Sequence, residues 1–227
     1  MESQLKILAV DTALGACSTA ILDNGSVLAH CLEPMERGHA ERLAPMVRDT
    51  MAAACLDFPA LDRLAVTVGP GTFTGQRVGY AFMRGLRLAL NRPLVGVTTL
   101  EAMAKAAMAK TGARSAAVLH DARRGEVYIS AFGRIVIPVQ LASFEDATEM
   151  IRDAAAGKRD EVALAGTAAG AAAVALGENG VKVLKTEVVA PDALWVARLA
   201  LSVPEPVIVP RPLYLRPPDA RLPDKCA

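Results

Sequence analysis

Residues 64–90 read LAVTVGPGTFTGQRVGYAFMRGLRLAL. The β-branched and apolar run at 64–68 predicts a buried strand, and the pattern up to Leu90 predicts a helix. Between them lie Gly69, Pro70, Gly71, Thr72, Phe73 and Thr74. A strand that turns through glycines into a helix is the repeating unit of an α/β fold. It is also the layout that cradles phosphates, because backbone N–H groups at a helix N-terminus attract anions. No Gly-Lys-Ser/Thr follows, so this is not a Walker A sequence. The turn needs glycine backbone freedom at Gly69 and Gly71, and Thr72 or Thr74 is placed to cap the helix.

The flanking sequence extends the α/β reading. LKILAV at 5–10 predicts a strand ending at Asp11 and Thr12, and GACSTAIL at 15–22 predicts a second. Asp23-Asn24-Gly25 predicts a hairpin into a third strand at 27–32. A helix over 39–56 carries Leu43, Val47, Met51 and Ala54 on one face, with Pro45 inside it. A strand at 94–97 and a helix over 100–110, capped by Thr98 or Thr99, complete the first half. The second half repeats the logic. Strands at 115–120 and 126–132 flank DARRG, a helix spans 144–156, and a strand at 161–165 leads to an alanine-rich helix. A strand at 181–184 and a helix opening near Pro191 follow. The remaining tail is proline-rich, with Pro204, Pro206, Pro210, Pro212, Pro217, Pro218 and Pro223, and should be extended. Two mixed α/β halves thus meet near residues 97–114, with no low-complexity linker between them.

Composition narrows the function classes. Apolar residues make up 52% and charged residues 22% of the 227, which is globular. The formal net charge of +1 gives no global attraction to nucleic acid, so any RNA link is local or indirect. Cys17, Cys31, Cys55 and Cys226 are scattered without a C-x-x-C pair, which suits a reducing cytoplasm. The N-terminal apolar run is too short for a signal peptide, and no run approaches the ~18 apolar residues of a membrane span.

The helix after the glycine turn carries the sharpest functional hint. In helical projection Arg77, Tyr80, Arg84, Arg87 and Asn91 form a polar stripe of roughly 80°. The remaining arc, roughly 220°, is apolar or small. Packing on one core needs an arc of only about 100° or somewhat more, so this helix buries two faces. Gly75 and Gly79, one turn apart, would admit a second backbone at close range. Either helix 39–56 covers the second face, or the two helices jointly present a patch to a partner. The residues expected on that interface are Leu43, Met46, Val47, Met51, Gly75, Gly79, Phe82, Met83 and Leu86.

Five segments in order carry a family resemblance: ILAVDT at 7–12, HAERLAP at 39–45, VGPGTFTGQRVG at 68–79, DARRGEVY at 121–128 and PLYLR at 212–216. Together they resemble the TsaB (YeaZ) family, with small departures at Thr72 and Gln76, where that family more often has serine and leucine. The resemblance implies two mixed-sheet domains of the actin-like ATPase (ASKHA, RNase H-like) fold. An N-terminal domain over 1–103 would carry the partner-binding helices, and a smaller C-terminal domain over 104–227 would end in the proline-rich tail. It implies a cytoplasmic accessory subunit in making threonylcarbamoyladenosine 3′ to the anticodon of tRNAs that read A-starting codons. The implied partners are TsaD, a catalytic paralogue, and TsaE, an ATPase. Alone the chain would be monomeric or a homodimer, and tRNA would be met only through the complex. No cofactor is expected to bind tightly, although ATP or ADP at the interface with partners is compatible with the fold.

The chemistry-bearing residues fit a non-enzymatic role. Where the catalytic sister family has two metal-binding histidines, this chain has Thr99 and Met103, a poor and a soft ligand. His30, His39 and His120 stand far apart in sequence, so no metal site is expected. Asp11 and Thr12 are candidate nucleotide contacts, with a capping carboxylate in a turn as the plainer alternative. His39 reads as a helix-start contact in preference to a catalytic base. Asp121, Arg123, Arg124 and Glu126 read as a hairpin with local ion pairs. Ser18 and Ser130 have no Ser/His/Asp arrangement around them, and Trp195 reads as packing. The competing readings are a glycoprotease-like peptidase, which needs a nucleophile–base pair, and a kinase-like ATP binder, which needs Asp11.

Overall fold

The first three strands, β1 (Lys6–Asp11), β2 (Ala16–Asp23) and β3 (Ser26–Pro34), form an antiparallel meander. They belong to a computed structural model that describes residues 5–204, 206 and 208–216. Asn24 and Gly25 join β2 to β3 with φ of 47° and 88°. That positive pair is the twist-matched two-residue hairpin turn that Asn-Gly favours. Helix α1 (His39–Ala53) follows, then a short 3-10 turn at Phe58–Ala60. Strand β4 (Arg63–Thr67), helix α2 (Phe73–Leu90), strand β5 (Leu94–Val97) and helix α3 (Thr99–Thr111) complete the half. The sheet order is β3-β2-β1-β4-β5, with β4 and β5 parallel to β1.

The second half has the same plan. Strands β6 (Ser115–Arg123), β7 (Glu126–Gly133) and β8 (Ile137–Ser143) form a meander. Helix α4 (Phe144–Ala155), β9 (Val162–Ala165), α5 (Ala169–Glu178), β10 (Val183–Lys185) and α6 (Ala193–Leu201) follow. The order β10-β9-β6-β7-β8 reproduces the first sheet strand for strand. Strand β8 is absent from the sequence reading. Its IPVQLAS lacks alternation and carries a proline, which is tolerated because β8 is a sheet edge. Helix α1 also stops at Ala53, three residues before the expected end, where Cys55 turns to φ 51°. Ser143 caps α4 by accepting from the Asp146 N–H at 3.0 Å.

Helices α1 and α2 cover one face of the first sheet through Leu43, Met46, Val47, Met51 and Met83. The other face is covered by α6, whose Ala193, Val196, Ala197 and Ala200 meet Ile7, Ala9, Val95 and Val97. Conversely, Leu100, Met103, Ala104 and Ala107 of α3 pack on Ala116, Val118, Ala163 and Ala165 of the second sheet. Each half therefore lends its third helix to the other half's sheet. This corrects the expected division at 103/104, which falls inside α3. A cut there would strip the second sheet of half its covering helix, and 104–227 includes α6, which belongs to the first core.

The tail returns to the first half. Leu213 N–H donates to Val68 O at 2.6 Å and Tyr80 Oη to Pro210 O at 2.6 Å. Arg216 then reaches the β6–β7 hairpin, donating to Ala122 O at 3.0 Å and pairing with Glu126. Residues 208–216 thus strap the glycine turn to the second half. Pro217, Pro218, Pro223 and Cys226 lie outside the described residues. No helix among the described residues is long and apolar enough to cross a membrane.

Candidate functional site: the glycine turn and the open face of helix α2

Thr72 caps α2 by accepting from Gly75 N–H at 3.1 Å. The turn before it wraps the chain's own residues 11–13. Thr72 N–H donates to Ala13 O at 2.9 Å, and Gly79 N–H donates to Thr12 Oγ1 at 3.0 Å. Thr12 Oγ1 in turn donates to Gly75 O at 2.7 Å. The small residues are required by this contact. A Cβ at Gly71 would stand 2.5 Å from Ala13 O, and one at Gly79 would stand 2.7 Å from Thr12 Oγ1. A Cβ at Gly75 would collide with Thr12 O. Gly69, at φ 104°, is closed in by Gln76 and the Leu213 carbonyl. The Thr72, Gly75 and Gly79 N–H groups are therefore engaged within the chain.

Asp11 and Thr12, the candidate nucleotide contacts, are both fully buried. Asp11 Oδ1 accepts from Thr67 Oγ1 at 2.5 Å and from Ala13 N–H at 3.1 Å, while Oδ2 has no partner among the described residues. Burial pushes its carboxyl up to about 7 against those hydrogen bonds. Thr12 Oγ1 is bonded into α2 at Gly75 and Gly79, and Asp11 is bonded to Thr67 and Ala13. The turn-carboxylate alternative describes what Asp11 does here.

The other candidates have structural employment. His39 Nε2 lies 3.1 Å from Leu14 O at the start of α1. Ser18 Oγ accepts from Ala193 N–H at 2.9 Å, and Ser130 Oγ donates to Ile137 O at 2.8 Å. Asp121 Oδ1 accepts from Arg123 N–H at 2.7 Å in a turn where Arg123, Arg124 and Gly125 all have positive φ. Thr99 and Met103 are buried in α3. Among the described residues no three His, Cys, Asp or Glu side chains gather into a metal-binding group. Trp195 packs between the two inner cores and carries Arg198 over its ring at 4.5 Å.

The expected interface requires a correction. Leu43, Met46, Val47, Met51, Gly75, Gly79 and Met83 are all buried in the chain's own core. They offer no area to a partner, because α1 covers one flank of α2 and the β1 end takes up the two glycines. Phe82 and Leu86 are half-buried at the margin. The uncovered arc of α2 lies one step around the helix, at Thr74, Ala81, Gly85, Leu88 and Ala89, with Leu88 71% exposed. The unusual breadth of the apolar arc was visible in the sequence. Which side of it meets the sheet was not, since that depends on where residues 11–13 approach.

The family model described as "TsaD: tRNA N6-adenosine threonylcarbamoyltransferase" matches residues 32–159, more than half of the chain. The chain is 42% identical over 130 residues to the tRNA threonylcarbamoyladenosine biosynthesis protein TsaB of Escherichia coli (strain K12). That match covers 57% of this chain and spans only 56% of the relative's length. A crystal structure from Pseudomonas aeruginosa, described as an uncharacterized protein with similarity to peptidase YEAZ, superposes with a TM-score of 0.78 at 29% identity. It covers 93% of this chain and 100% of that one. Component A of the Acidaminococcus fermentans (R)-2-hydroxyglutaryl-CoA dehydratase aligns at a TM-score of 0.50 and 12% identity, over 87% of this chain and 100% of that one. That last likeness concerns the fold alone, which is the actin-like ATPase fold with its two mixed sheets. With more than half its length inside one family model and curated TsaB and solved YeaZ relatives alongside, the chain belongs to the TsaB (YeaZ) family.

Proposed function

We propose that this chain is a non-catalytic subunit in the synthesis of threonylcarbamoyladenosine on tRNA, at the adenosine 3′ to the anticodon of tRNAs reading A-starting codons. It works in the cytoplasm by docking TsaD, the catalytic paralogue, with TsaE joining the pair. The observation that carries this reading is the uncovered arc of α2 at Thr74, Ala81, Gly85, Leu88 and Ala89. Small side chains in a row on a capped eighteen-residue helix let another helix approach closely, with Leu88 as the apolar anchor. The glycine turn supports the same reading. Its donors hold residues 11–13 and thereby set the angle at which α2 leaves the sheet. Without a partner the arc can pair with a second copy, and any ATP or ADP belongs to the joint interface with the partners.

The test is size-exclusion chromatography with light scattering, on the chain alone and with TsaD. Wild type is expected to form a one-to-one complex. The charge-neutral pair Ala81→Arg and Leu88→Glu is expected to weaken it at least about a hundredfold while the circular dichroism and melt stay native. A complex that survives these changes removes α2 from the interface. A wild-type chain that ignores TsaD removes the proposal.

A further inference from the structure

From Arg63 to Leu100 the chain carries Arg63, Arg77, Arg84, Arg87 and Arg92 and not one Asp or Glu. Residues 208–216 add Arg211 and Arg216, again without a carboxylate. On a chain of net charge +1 this is strong segregation of charge onto α2 and the strap laid beside it. Arg216 is paired with Glu126. Arg77, Arg84, Arg87 and Arg211 form no ion pair among the described residues.

Aromatic rings interleave with these arginines. Phe73, Arg77, Tyr80 and Arg84 follow one another along a single stripe of α2, at spacings of four, three and four residues. The Arg77 guanidinium lies 3.4 Å from the Phe73 ring centroid, and that of Arg84 lies 5.8 Å from the Tyr80 ring. Tyr214 of the strap extends the stripe, with its ring 5.6 Å from Phe73 and its hydroxyl accepting from Arg77 Nε at 3.3 Å. Phe73 and Tyr214 remain 48% and 44% exposed, too much for core side chains and well placed for stacking. The stripe borders the open arc, with Arg77 and Arg84 one turn before Ala81 and Leu88.

We infer that this stripe, Phe73, Arg77, Tyr80, Arg84 and Tyr214, docks a single-stranded stretch of RNA. Alternating rings and guanidinium groups match a strand that alternates bases with phosphates. Rings stack on unpaired bases of any identity, and arginines pair with phosphates and stack as well. An acidic protein segment would use the arginines but has no need of two half-exposed rings. The choice of RNA rests on the tRNA-modification reading above, and it revises the expectation that tRNA is met only through other subunits. The expected ligand is the unpaired loop of an anticodon arm.

The test is fluorescence anisotropy with the full chain and a labelled, unmodified anticodon stem–loop RNA across a salt series. Binding is expected, with an affinity that falls as salt rises. Arg77→Glu with Arg84→Glu is expected to weaken it about tenfold or more and to lower the salt slope by about two counterions. Phe73→Ala with Tyr214→Ala is expected to weaken binding several-fold with the salt slope unchanged, since stacking releases no counterions. Native melts qualify each variant, and Arg159→Glu in the second half is expected to change nothing. Absence of wild-type binding, or binding indifferent to all four substitutions, overturns the inference. So does tighter binding of a labelled poly-glutamate peptide through the same residues, which assigns the stripe to an acidic protein. Measuring RNA and TsaD binding on the same preparation separates the two proposals, because RNA binding by a chain that ignores TsaD would sink the function and leave the stripe standing.

Discussion

Asp11 is a fully buried carboxylate that serves the packing of the β1 end. Its Oδ1 is held by Thr67 and Ala13 and its Oδ2 is buried without a partner, so ionisation is penalised by lost solvation more than it is helped by two hydrogen bonds. The folded-state value, about 7, lies above the ordinary 3.8. The stability that Asp11 contributes is therefore full below pH 3.8 and is lost as pH rises to about 7. Asp11→Asn has no charge to bury. The stability difference between wild type and this variant is expected to move by up to about 4 kcal/mol in the variant's favour between pH 4 and pH 8. Urea melts of both proteins across that range would check it, and a flat difference would mean that Asp11 is solvated.

At the scale of elements, α2 carries two kinds of glycine that the sequence does not distinguish. Gly79 faces Thr12, and a Cβ there would approach Oγ1 to 2.7 Å. Gly85 faces outward, with nothing within 4 Å of a Cβ. Gly79→Ala is expected to destabilise by ~1–3 kcal/mol through overpacking. Gly85→Ala is expected to stabilise by ~1 kcal/mol, because alanine is the better residue in an exposed helix interior. Equilibrium denaturation with guanidinium reads both, and the same sign for the two would refute the assigned orientation of α2. The element boundaries were largely legible, since caps such as Thr72, Thr98 and Ser143 and turns such as Asn24-Gly25 are local chemistry. Strand β8 was not, because an edge strand that includes Pro138 owes its pairing to β7 and has no alternation of its own.

At the scale of the whole molecule, the halves are bound by exchange. Helix α3 roofs the second sheet, α6 roofs the first, and residues 208–216 run from Val68 to the β6–β7 hairpin. His30 adds to the seam by bonding Asp192, the cap of α6, at 2.8 Å. Deleting residues 208–227 removes the bonds of Tyr80, Leu213 and Arg216 across that seam. It is expected to cost ~2–4 kcal/mol, on the order of 1 kcal/mol for each hydrogen bond plus the pair with Glu126. Hydrogen exchange should rise in the β6–β7 hairpin and around Val68 before it rises in the sheet centres. Unchanged protection at the hairpin would show that the strap is decorative.

Every strand but β8, the caps, the hairpin turn and the duplicated α/β plan follow from period, propensity and turn chemistry among near neighbours, and were legible in the sequence. It also carried the family, in five segments spread along the chain. Which arc of α2 is core and which is open, where the seven misplaced interface residues go, and which sheet each third helix covers were legible only in the fold. Those are contacts between residues far apart in the chain. The approach of Thr12 to Gly79, 67 positions away, turns one side of a broadly apolar helix inward and leaves the other exposed.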